Sequence, residues 1–154
     1  MALVGVVLGS RSDAEAIQPA LKVLEQLGIE YEVSILSAHR TPEKVRQYGL
    51  SAASRGLELI IAAAGKAAHL PGVLASWTTL PVIGVPLATS ELKGIDALHS
   101  IVQMPAGIPV ACVAIGTPGA KNAAYLAAEI LSLKYDKIRK AYQKYRSDLQ
   151  GDNK

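Results

Sequence analysis

The 154-residue chain has no phenylalanine, one cysteine, one tryptophan and six tyrosines, and only 19% of its residues are charged. A single cysteine, Cys112, excludes an internal disulfide and a multi-cysteine zinc site, and a chain of this size without disulfides suits a reducing compartment. Few aromatics argue against an aromatic sandwich core. The chain is 50% hydrophobic, which excludes a disordered or solvating segment. Long apolar runs are missing as well: the longest stretch without charge, Ala67 to Ser90, is broken by Pro71, Gly72, Pro81, Gly84 and Pro86, which excludes a membrane span. The N-terminal segment has neither a positive region before its apolar run nor a cleavage motif, so the cytoplasm is the expected location. Charge of one sign is scarce too, at a net +3. Five basic residues (Lys134, Lys137, Arg139, Lys140 and Lys144) share one C-terminal stretch with tyrosines and acids, which predicts a solvated helix face with no nucleic-acid or membrane partner.

What is present is alanine, valine, leucine, isoleucine and 13 glycines, a composition for close packing of sheet on helix. Continuous apolar runs at Leu3–Leu8, Leu57–Ala64, Pro81–Val85 and Val110–Ile115, with a more alternating one at Tyr31–Leu36, predict strands, most of them covered on both faces. Helical patterns lie between them. Ser12 and Glu15 have capping-box spacing ahead of Ile17, Leu21, Leu24 and Leu27, with a stop at Gly28. Thr41-Pro42 reads as an N-cap and first helical residue, leading through Val45 and Leu50 to Gly56. Further helices are expected at Ala68–Trp77, Ile95–Val102 and Ala120–Leu133, then a charged one at about Tyr135–Leu149, and a frayed end from Gly151. The expected fold is one α/β domain over residues 1–154. It is a three-layer, doubly wound, five-stranded parallel sheet in flavodoxin-like order, with its core at about 3–133 and a C-terminal helix at about 135–149.

Open α/β sheets bind ligands outside the carboxyl ends of their strands, and the unusual residues fall there. Gly9-Ser10-Arg11-Ser12-Asp13 offers hydroxyls and backbone N–H groups at a helix start, a phosphate cradle. The same residues also suit a plain helix cap. Asp13 would repel phosphate and is better matched to ribose hydroxyls. Neither G-x-G-x-x-G nor a P-loop ending is present, so no nicotinamide cofactor or ATP is indicated. In Ser37-Ala38-His39-Arg40-Thr41-Pro42, Arg40 can grip phosphate in two-pronged fashion, and an imidazole, titrating near neutrality, suits His39 to proton transfer. In Gly65-Lys66-Ala67-Ala68-His69-Leu70-Pro71-Gly72, small residues allow backbone to approach a ligand. The spacing of His39, His69 and His99 matches no local zinc pattern, so no metal is expected. Cys112, inside an apolar run, reads as a buried, inert thiol. The residues alone therefore point to a phosphorylated, sugar-containing metabolite beside a histidine, with the reaction open.

These three loops, with Pro81-Val-Ile-Gly-Val-Pro86 and Ser100-Ile-Val-Gln-Met-Pro105, closely resemble the N5-carboxyaminoimidazole ribonucleotide mutase family of purine (IMP) biosynthesis over residues 3–133. The resemblance implies an isomerase that moves a carboxylate from N5 to C4 of an aminoimidazole ribonucleotide, through CO2 held in the site. It also implies a homo-octamer with no metal and no organic cofactor. By position it gives proton transfer to His39 and ribose and phosphate binding to Ser10, Ser12, Asp13 and Arg40. Ser37, Ala38, Ala67, His69 and Leu70 would enclose the ring and its carboxylate, with Gly65 and Lys66 among the substrate-binding residues. The chain departs from the family's usual Ala-Gly-Ala-Gly-Gly-Ala-Ala-His at Ala63 and Lys66. Lys66 would meet substrate carboxylate or phosphate, or a neighbouring subunit. The alternatives are a carboxylase that uses CO2 directly and, from another class, a non-enzymatic flavodoxin-like module; an assembly-only protein is a third.

Overall fold

The computed structural model describes residues 1–151. The apolar runs form β1 (Val4–Leu8), β2 (Tyr31–Ile35), β3 (Leu59–Gly65), β4 (Val82–Leu87) and β5 (Ala111–Cys112). Helices α1 (Ala14–Gln26), α2 (Pro42–Ala52), α3 (Leu70–Trp77), α4 (Ile95–Val102) and α5 (Gly116–Ser132) alternate with them, and α6 (Asp136–Gly151) follows. All strand pairs are parallel, in the order β2-β1-β3-β4-β5. That is the flavodoxin-like order expected of this pattern.

Alternation along the central strands divides the core into two layers. Val4, Val6 and Leu8 of β1 with Leu59, Ile61 and Ala63 of β3 face α1 and α5, whereas Val7, Ile60 and Ala62 face α2, α3 and α4. Each layer is closed by small contacts. On α5, Ala120, Ala123, Ala124, Ala127 and Ala128 are all fully buried, forming a flat stripe that brings the helix close to the sheet and to α1. Edge strand β2 is only half covered, and Val33 and Ile35 remain exposed. The charged α6 packs on α5 through Ile138 and pairs its own charges, Arg139 with Asp136 and Lys144 with Asp148.

Several local expectations are corrected. Ser12 does not cap α1: the Ser10 side chain accepts from the Ser12 backbone N–H at 3.3 Å, and a short 3-10 turn over Arg11–Asp13 carries the chain into the helix. Leu50 is exposed, because Val45, Tyr48, Gly49 and Ala52 make the buried face of α2. The last strand has two residues where six were expected. Ala114 adopts φ 136°, and its carbonyl passes against Gly119, so the chain leaves the sheet to begin α5 at Gly116. Helix α6 runs through Gly151, where fraying was expected; the rest of that expected end lies outside the described residues. Ala63 is an ordinary buried strand residue facing Leu8 and Val85.

Candidate active site

The first two strand-end loops are built to hold their side chains in place. After β1, Gly9 N–H donates to the Ala63 carbonyl at 3.1 Å, and the Ser12 hydroxyl donates to Ser10 Oγ at 2.9 Å. After β2, Thr41 occupies the N-cap position of α2, yet its hydroxyl serves the loop. It accepts from Ser37 N–H at 3.0 Å and lies 3.1 Å from the Ser37 carbonyl, while Arg40 N–H donates to Ser37 Oγ at 3.1 Å. This bracing sets the direction of His39. After β3, tight backbone bonds from Ala68 N–H to Lys66 O and from His69 N–H to Ala67 O, both 2.8 Å, wind the chain into α3, with Pro71 in its first turn.

The loops converge. His39 Nε2 and His69 Nδ1 lie 2.7 Å apart with the rings edge-to-face at 84°, so one imidazole donates and the other accepts. Around it opens a cleft of about 740 Å³, within the roughly 300–1,000 Å³ common to small-molecule sites. All twelve residues expected at the site line it: Ser10, Ser12, Asp13, Ser37, Ala38, His39, Arg40, Gly65, Lys66, Ala67, His69 and Leu70.

Three further residues, Gly9, Ala64 and Thr89, also line the cleft. Thr89 follows β4, so the rule that ligands sit beyond strand ends, applied to the fourth strand, would have found it. Its approach depends on Gly65, where a Cβ would lie 1.8 Å from Thr89 Oγ1. His99 is on α4 and does not line the cleft. Cys112, half-buried on β5, is also outside it, and burial pushes its thiol pKa up. No group of three or more histidine, cysteine or acidic residues able to hold a metal occurs among the described residues.

Electrostatically the cleft holds two cations, Arg40 and Lys66, and one acid. Asp13 is buried, and desolvation raises its carboxyl pKa above the ordinary value of 3.8, with a backbone hydrogen bond at Ser10 partly opposing.

Fold and cleft define a doubly wound α/β protein with a small-molecule site at the carboxyl edge of its sheet, floored by small residues and carrying a coupled histidine pair. The chain belongs to the AIR carboxylase family, whose model matches residues 3–152 and so extends past the five motifs through α6. It is 55% identical over 150 residues to a Pyrococcus abyssi protein named N5-carboxyaminoimidazole ribonucleotide mutase, covering 97% of this chain and 85% of that one. It is 58% identical over 138 residues to an Aquifex aeolicus protein of the same name, covering 90% and 81%. The crystal structure of Treponema denticola PurE superimposes with a TM-score of 0.86 at 31% identity, covering 99% of this chain and 94% of that one.

Proposed function

We propose that the chain is an N5-carboxyaminoimidazole ribonucleotide mutase, an isomerase of purine biosynthesis. The observation that carries this is the single cleft in which a histidine pair, two cations and hydroxyl-rich strand-end loops meet, in a chain more than half identical to proteins of that name. In the proposed reaction the N5–carboxylate bond breaks, CO2 departs, and N5 takes a proton from His39. The ring amine then pushes its electron pair through the ring, C4 bonds to the retained CO2, and the C4 proton returns to His39. Protons and charge balance over the cycle, and one imidazole serves first as acid and then as base. Ser10, Ser12, Asp13 and Arg40 hold the ribose and phosphate; Ser37, Ala38, Ala67, His69 and Leu70 close around the ring and limit escape of CO2. No metal or organic cofactor has a role in this scheme.

The same reading makes the chain one domain that works in the cytoplasm as a homo-octamer. Among the described residues no helix is long and apolar enough to cross a membrane. A direct assay tests the activity. Purified protein should convert N5-carboxyaminoimidazole ribonucleotide to the 4-carboxy isomer without ATP and without added bicarbonate. Turnover only of aminoimidazole ribonucleotide with bicarbonate would instead make it a carboxylase.

A further inference from the structure

Lys66 is the least explained residue of the cleft. It follows the last residue of β3 with φ 54°, a left-handed conformation that glycine adopts at less cost. Its side chain makes no hydrogen bond or ion pair with any described residue, although seven other cationic groups of the chain, the N-terminus among them, are ion-paired. It nevertheless lines the cleft. A strained backbone position that presents an unpartnered cation to a site is best matched to a ligand anion.

The loops distinguish between the ligand's two anions. Arg40 and the Ser10-to-Asp13 turn stand on the β1 and β2 loops, whereas Lys66 lies on the β3 loop, three residues before His69. His69 Nδ1 is 2.7 Å from His39 Nε2, so Lys66 belongs to the loop that bears on proton transfer. We infer that Lys66 is a specificity-determining residue that pairs with the migrating carboxylate, before transfer on N5 and after it on C4, and leaves the phosphate to Arg40 and the β1 loop. This rests on the mutase reading.

The chemistry gives this role a kinetic signature. A cation paired with carboxylate stabilises substrate and product but loses most of its hold on neutral CO2, so it strengthens ground states at both ends and contributes little at the step between. Its loss raises KM without lowering kcat.

The test uses Lys66→Gly, which removes the cation while favouring the backbone, and Lys66→Arg, which keeps the charge. Dissociation constants are measured for the 4-carboxy nucleotide and for the same nucleotide without the carboxylate, alongside kcat, KM and the thermal midpoint. For Lys66→Gly the expected result is about tenfold weaker binding of the carboxylated nucleotide, with the decarboxylated one changed less than about twofold and the midpoint equal or higher. Lys66→Arg should retain most of the discrimination. Equal weakening of both nucleotides would assign Lys66 to the phosphate and overturn the proposal, as would unchanged binding of both. If the unaltered protein binds both nucleotides and interconverts the carboxylated pair, the mutase reading stands whatever the variants do. If it binds neither, that reading falls and the role of Lys66 falls with it.

Discussion

His39 and Asp13 are the two residues on which the site makes its strongest demands. An asparagine at position 39 keeps a polar side chain of similar reach and removes the titrating ring. His39→Asn should lower kcat by about 10² to 10⁴-fold, with the fold intact by circular dichroism and the carboxylated nucleotide still bound. Near-normal turnover would remove His39 from the mechanism. Asp13, a ribose-binding residue in the proposed reading, is costly to the fold. Burial raises its pKa in the folded state, so the stability linked to its protonation is complete below the unfolded value of 3.8 and is lost as pH rises through the raised folded value. Asp13→Asn should therefore be more resistant to urea than the parent at pH 7. The difference should close on acidification below the ordinary carboxylate range, while the variant binds nucleotide more weakly. A parent that matches the variant at pH 7 would show that Asp13 costs the fold nothing.

Among the elements, α5 shows how composition becomes geometry. Its alanine stripe is fully buried between α1 and the sheet, so any longer side chain must displace backbone. Ala124→Leu should cost about 1–3 kcal/mol in urea unfolding, while Leu133→Ala, at a position 83% exposed, should stay within about 0.5 kcal/mol. Elements also mark where sequence reading ran out. The strand cores were legible in their apolar runs, and α4 in its spacing, because those signals are local. The two-residue β5 was not, since Val113, Ala114 and Ile115 continue the apolar run, and only the close passage of Gly119 against the Ala114 carbonyl turns the chain away. Ser12 and Ser10 are both competent caps by residue type; the 3-10 turn decides between them.

For the whole molecule, the low charge and the exposed apolar residues have a common consequence. Val33 and Ile35 on edge strand β2, with Leu92 and Ile95 near the start of α4, leave apolar surface in solvent on a single chain. Self-association would cover such surface and let copies of the chain complete one another's clefts. Sedimentation equilibrium at micromolar concentration should give eight times the 16.2 kDa chain mass. A monomer with full activity would refute a site that needs its neighbours.

The sequence by itself determined most of the strands and helices, which three loops end at one edge of the sheet, and that His39, Arg40 and Asp13 are among the polar groups placed there. Those properties follow from local periodicity and from the direction of parallel crossovers, which the order of residues carries. Only the tertiary structure decided that His39 and His69, thirty positions apart, meet at 2.7 Å, that Thr89 after β4 packs so closely against Gly65, and that Lys66 stands in a left-handed conformation with no partner among the described residues. Distances between loops are set by how α2, α3 and α4 pack against the central strands, and that packing depends on the whole core at once.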